Sequence, residues 1–132
     1  MQALSFRIEP RFSETDALGH INHTFLPVWF EQARTPLFRL FNPELSLDTW
    51  NLILKNISVD YRAQIYMTAP VDIETWVSRI GNSSFVVVHE AHQNGQVVAR
   101  GEVVMIYFDY QRQAKADIPA PIRESLSAHL IE

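Results

Sequence analysis

The chain contains no cysteine. Disulfides, thiol nucleophiles and thiolate metal sites are therefore excluded, although this alone does not assign a compartment. Long hydrophobic runs are also missing. The longest unbroken aliphatic and aromatic stretch is VVMIYF at 103–108, far short of the ~20 apolar residues of a membrane-spanning helix. The opening MQALSFRIEPRF alternates and carries charge, unlike a signal peptide. The expectation is a cytoplasmic protein with no membrane partner. Positive charge is scarce: 11 Lys and Arg stand against 15 Asp and Glu, for a formal net charge of −4. Such a balance argues against nucleic acid as the main partner, because phosphate binding needs a basic stripe. Neither a glycine-rich phosphate loop nor a Gly-x-Ser-x-Gly elbow occurs.

What is present is the balance of an ordinary globule: 132 residues, 47% hydrophobic and 20% charged. No repeat, low-complexity stretch or linker interrupts it, so one domain is expected over 1–132, large enough to bury roughly two-thirds of its unfolded surface. Residues 3–12 alternate around Leu4, Phe6 and Ile8, predicting a strand. The polar stretch ETDALGHINH at 14–23 reads as a loop. Residues 24–41 carry apolar side chains at 26, 30, 33, 37, 40 and 41, the spacing of one helical face. Asn22 or Thr24 would cap this helix, Pro27 fits its first turn, and Pro36 should kink or end it.

The period then changes. Residues 52–61, 71–80, 85–92 and 97–110 alternate and are rich in Val, Ile and aromatics, with turn residues at 81–83 and a strong hairpin signal at Asn94-Gly95. A short helix is predicted within 118–131. The order implies an α+β fold, an antiparallel sheet with one main helix packed on it. In VVMIYF both alternating faces are apolar, so the strand should be central and covered on both sides. One helix covers one face, and a second subunit or the tail must cover the other.

The densest polar cluster is Glu14, Asp16, His20, Asn22 and His23, just before the helix. A helix N-terminus offers unpaired N–H groups and a partial positive charge, which suit an oxyanion, while a nearby carboxylate can move a proton or attack. The plainer reading is that Asp16 makes an Asx-turn and Asn22 and Thr24 are caps. Asp16, His20 and His23 form only a weak metal pattern, and no metal or other cofactor is expected. His89 and His92 should point to opposite faces of their strand.

The stretch RFSETDALGHINHTFLPVWFEQAR at 11–34 resembles the signature of hotdog-fold acyl-CoA thioesterases of the 4-hydroxybenzoyl-CoA thioesterase branch. Phe12, Glu14, Asp16, Gly19, His20, Asn22, Glu31, Ala33 and Arg34 fill the pattern, and SRIGNSSFVVVHE at 78–90 resembles the family's central hairpin. The likeness spans roughly residues 4–123. It implies one hotdog domain, a five-stranded antiparallel sheet wrapped around a long helix, assembled as a homodimer or homotetramer with the active site between subunits. It further implies an acyl-CoA substrate, Asp16 as catalytic carboxylate, and the backbone N–H at His23 as the donor to the thioester carbonyl. Gly19, His20, Asn22 and Glu31 would support the site. Arg79, Ser83 and Ser84 would contact coenzyme A, which is part of the substrate. Two positions depart from the pattern: Glu14 stands where Asp is usual, and His23 where Asn or another residue is. The Asp-x-Asn-Pro-x-His signature of hotdog dehydratases is absent. The alternatives are a non-catalytic acyl-binding hotdog module and a thioesterase acting on acyl carrier protein.

Overall fold

The computed structural model describes residues 2–17 and 19–131. Leu18, inside the loop expected over 14–23, and the two termini of the expected 1–132 domain lie outside the described residues. The chain runs β1 (Leu4–Ile8), a 3₁₀ turn (Phe12–Glu14), α1 (Phe25–Ala33), α2 (Thr35–Phe41), β2 (Leu52–Tyr61), β3 (Val71–Ile80), β4 (Ser84–Gln93), β5 (Gln96–Asp109), β6 (Ala114–Lys115) and α3 (Ala120–Ser127). The five main strands pair in the order β1-β3-β4-β5-β2, antiparallel throughout, and β6 adds two residues to the end of β5. This is the hotdog architecture that the resemblance implied. Among the described residues no helix is long and apolar enough to cross a membrane.

The four later strands fall where their period placed them, within a residue at either end. Asn94 and Gly95 both have positive φ, 52° and 76°, as the two central residues of a type I′ hairpin require. β1 is shorter than expected, because the chain after Ile8 turns into the 3₁₀ segment at Phe12–Glu14.

The long helix is two helices. α1 stops at Ala33, Arg34 adopts φ −81° and ψ −6° between them, and α2 restarts at Thr35. Pro36 thereby falls in the first turn of α2, where no intrahelical N–H is needed. Leu26, Phe30, Ala33, Leu37 and Phe41 are buried on one face, as the spacing predicted, and Leu40 is half-buried. Trp29 is buried as well. The sheet makes room at Gly101, where a Cβ would stand 2.7 Å from the Phe30 ring.

The interior has two apolar clusters. One gathers Leu26, Phe30, Ile73 and Ala91 under α1, and the other gathers Leu37, Phe41, Phe85, Met105 and Leu126 under α2 and α3. A polar group lies on this same inner side: Arg34, Thr75 and His89, all essentially inaccessible. Arg34 Nη1 lies 3.2 Å from His89 Nε2, and Thr75 Oγ1 lies 2.8 Å from His89 Nδ1. The Phe30 ring stacks on the imidazole at 4.8 Å. A guanidinium only donates, so Nε2 accepts and Nδ1 carries the proton toward Thr75.

β5 has strands on both sides. Val103 and Met105 point inward and are buried, while Val104 and Ile106 point outward and are half-buried. Ile53 pairs with Ile106 and Val86 with Val104 across the outer face. α3 buries Leu126 with the helix-side cluster, so the tail leaves this outer apolar strip uncovered.

Candidate functional site

Two carboxylates two residues apart meet opposite environments. Glu14 is 3% exposed. Its Oε2 accepts from Trp29 Nε1 at 2.9 Å and its Oε1 from the Arg11 N–H at 2.8 Å, while Arg11 Nη2 stands 3.4 Å away. Burial would raise its pKa, but these donors and the Arg11 charge outweigh burial and hold it below the usual carboxylate range. Its backbone oxygen accepts from the Asn22 N–H at 2.8 Å. Glu14 thus fastens the start of the loop to α1 through Trp29 and to the loop's far end through Asn22.

Asp16 is exposed and lines a cavity of about 480 Å³ with Ile21, His23, Leu26, Tyr61, Arg62, Ala63, Gln64 and Ile65. The Asx-turn expected at Asp16 would bond the N–H of residue 18, outside the described residues; what is described is a tight turn between Asp16 and His20. The Asp16 N–H donates to the His20 carbonyl at 2.7 Å, and the His20 N–H reaches Asp16 Oδ1 at 3.3 Å. Gly19 closes this turn with φ +82°, a conformation that favours glycine.

The helix start shows which donors are taken. Ile21 N–H donates to the Ile65 carbonyl and Asn22 N–H to Glu14. Thr24 N–H and its hydroxyl both donate to Asn22 Oδ1, at 2.9 and 2.8 Å. Phe25 N–H donates to the Asn22 carbonyl and Leu26 N–H to that of His23. Of the two cap candidates, Thr24 occupies the cap position without a side-chain bond to the helix, and Asn22 accepts from Thr24 two residues on, not from a helical N–H. Among the described residues the His23 N–H has no backbone acceptor. It is the amide left over between 20 and 26, and it belongs to a residue lining the same cavity as Asp16.

Other predicted residues lie elsewhere. The His20 ring packs edge-on against Tyr66 at 5.1 Å. Glu31 is on the exposed side of α1, away from the cavity, where its charge partly offsets the burial that pulls the Arg34 pKa down to about 10. Arg79, Ser83 and Ser84 sit at the opposite end of the sheet. Tyr61 pairs through Ala99 and Ala91 with Ile73, and Arg79 is some 17–20 Å further along β3 at ~3.3 Å per residue. One chain therefore brings Asp16 and His23 together, with Gly19, His20 and Asn22 shaping their loop, but leaves Glu31, Arg79, Ser83 and Ser84 apart from them.

His89 faces inward and His92 outward, as strand alternation required. Among the described residues, one group approaches metal-ligand spacing. Glu74, Glu90 and His92 have ligand atoms within 4.8 Å of one another, but Arg100 already holds Glu90 at 2.8 Å and the group is not part of the cavity. Sequence reasoning missed Tyr61, Arg62 and Gln64. They stand at or just past the end of β2, where the alternating pattern stops and no motif marks them. Tyr61 matters most, because its hydroxyl donates to the His23 carbonyl at 2.7 Å.

The sequence model of the thioesterase-like superfamily matches residues 10–126. A predicted thioesterase from Bacillus stearothermophilus is 40% identical, with 99% of this chain and 98% of that one superposed at a TM-score of 0.97. A thioesterase from Thermus thermophilus, solved with coenzyme A and Zn, is 27% identical, with 92% and 95% covered at a TM-score of 0.83. The uncharacterized protein YsmA of Bacillus subtilis (strain 168) is 28% identical over 102 residues, 76% of this chain and 69% of its own. With that match over nearly its whole length and the hotdog sheet beneath it, the chain belongs to the thioesterase-like superfamily.

Proposed function

We propose that this thioester hydrolase cleaves acyl-CoA in the cytoplasm, with Asp16 as general base or nucleophile and the His23 amide as oxyanion donor. The observation that carries the reading is the pairing, in one cavity, of an exposed carboxylate with a helix-start N–H that has no backbone acceptor among the described residues. The carbonyl oxygen of the thioester accepts from the His23 N–H and gains negative charge there as the carbonyl carbon is attacked. In the base route, water forms the new C–O bond and gives its proton to Asp16. In the nucleophile route, Asp16 Oδ forms the bond instead. In either route the tetrahedral species collapses with cleavage of the C–S bond, and coenzyme A leaves as thiolate, a leaving group good enough to need no metal or cofactor. In the nucleophile route this leaves an acyl anhydride on Asp16, which water then opens.

Coenzyme A as the carrier draws on the Thermus thermophilus relative, which was solved with it. The uncovered outer strip around Val104 and Ile106 favours a homodimer or homotetramer. In such an assembly a second copy could bring Arg79, Ser83 and Ser84 to the coenzyme A near a first copy's Asp16. Release of thiol from a panel of acyl-CoA thioesters tests the reading, with Asp16→Asn as its control. Asn keeps the turn but neither takes a proton nor attacks, so kcat should fall at least ~10²-fold with the fold intact. No thiol release from any acyl-CoA, with release from acyl carrier protein, would reassign the carrier. Binding without turnover on either would favour a non-catalytic acyl-binding module.

A further inference from the structure

Resting on that reading of the cavity, we propose that Tyr61 is a positioning residue: its hydroxyl, through the His23 carbonyl, holds the helix-start peptides so that the His23 N–H stays aimed at the substrate carbonyl. Among the described residues, three successive peptides at the helix start are anchored differently. The peptide joining Ile21 to Asn22 is tied by its N–H to Glu14. The next, joining Asn22 to His23, is tied by its C=O to the Phe25 N–H at 3.1 Å, while its own N–H has no backbone acceptor. The third, joining His23 to Thr24, is tied by its N–H to Asn22 Oδ1 and by its C=O to Tyr61. Among the described residues that carbonyl's other donor is the Leu26 N–H, at 3.3 Å.

Tyr61 is 38 residues from His23 and ends β2. Its bond therefore refers residue 23 to the sheet. Among the described residues the other anchors of residues 22–25 come from the loop and helix themselves. The Tyr61 ring also meets the His23 imidazole edge-on at 6.0 Å. The phenol is a donor through the neutral range at its ordinary pKa, and burial raises that pKa further. An oxyanion donor is effective only when fixed in advance where charge will develop, and displacements near 1 Å are enough to cost rate.

The test is Tyr61→Phe, which keeps the ring and removes the donor. Two quantities are read: steady-state hydrolysis of an acyl-CoA, and backbone amide exchange of Thr24, Phe25 and Leu26. The expected result is kcat lowered about tenfold with KM within about twofold, a fraction of the 10²–10³ lost when a whole oxyanion donor is removed. Those three amides should exchange at least about fivefold faster, with β3 and β4 unchanged. Unchanged exchange overturns the proposal whatever the turnover. A raised KM at unchanged kcat overturns it too, since Tyr61 would then be touching substrate. Unfolding of the variant would make the hydroxyl a support of the whole fold and also sink the idea. If the wild-type protein releases no thiol, the hydrolysis reading fails by itself, and the exchange measurement still decides whether Tyr61 holds residue 23.

Discussion

His89 should make this protein acid-sensitive well above the pH at which its carboxylates protonate. The imidazole is fully buried, and burial, reinforced by the Arg34 charge, pulls its pKa from 6.5 down to about 3. The geometry gives the reason. Nε2 faces a guanidinium at 3.2 Å, so an added proton would meet a positive charge with no room for water. The unfolded chain has no such barrier and its His89 binds a proton near pH 6.5. Between about pH 6.5 and 3 the unfolded state therefore holds more protons, and stability falls as pH falls. Linkage through these two values gives a loss of about 2 kcal/mol between pH 7.5 and 5.0 from this one group. Glu14 is depressed as well, but in a lower window: its contribution is present above the unfolded carboxylate pKa and fades only below about pH 4.5. The window from 5 to 7.5 is thus free of it. The comparison is His89→Gln, whose amide can still accept from Arg34 and donate to Thr75 but does not titrate. Urea unfolding at both pH values, with the slope against urea checked for constancy, should show the wild type losing about 2 kcal/mol more than the variant. Equal losses would refute the buried neutral imidazole.

Trp29→Phe removes the indole donor from the buried Glu14 carboxylate and should destabilise the fold by about 1–3 kcal/mol at neutral pH, read by thermal or urea unfolding. Sedimentation at micromolar concentration should give a mass of at least two chains; a well-folded 15.2 kDa monomer would refute the covering of the outer strip. Arg62→Ala and Arg79→Ala separate a cation inside the cavity from one at the far end of the sheet. If Arg79 meets coenzyme A phosphate across an assembly, its loss raises KM for acyl-CoA but not for acyl-pantetheine, and an equal effect on both substrates would place it in folding or assembly.

The sheet and the helical face were legible because each depends on period alone. Side chains at 26, 30, 33, 37 and 41 bury as a helix of 3.6 residues per turn demands, and the Asn94-Gly95 turn sets the β4–β5 register by the φ values those two residues accept. Arg34, Thr75 and His89 were not legible as a unit. They come from α1's end, β3 and β4, and only the closing of the sheet over the helix brings them together. Sequence gives an arginine at the end of an apolar stripe no mark of burial. Among the described residues its Nε has no hydrogen-bond partner, an expensive arrangement that pattern reasoning has no cause to expect. Tyr61, Arg62 and Gln64 were missed for a similar reason: the cavity forms where β2's end meets a loop some 40 residues earlier in the chain.

Glu14 and Asp16 show how the fold separates two similar carboxylates. Both sit in one short polar stretch, and the resemblance to the family treats them as an acidic pair. The 3₁₀ turn at Phe12–Glu14 rolls the Glu14 side chain under α1, where the longer side chain reaches Trp29 Nε1 and its oxygens are satisfied by fixed donors. Such a carboxylate is held ionised and engaged, and is a poor agent for moving a proton. Two residues on, the chain has left the turn, and the shorter Asp16 side chain is exposed in the cavity that His23 also lines. Replacing the usual Asp by Glu at 14 therefore changes the anchor and leaves the proposed reacting group, Asp16, alone. The extra methylene adds reach toward the indole, and the rigidity gained on Glu14 is passed to Asn22 through its backbone oxygen, one residue from the proposed oxyanion donor.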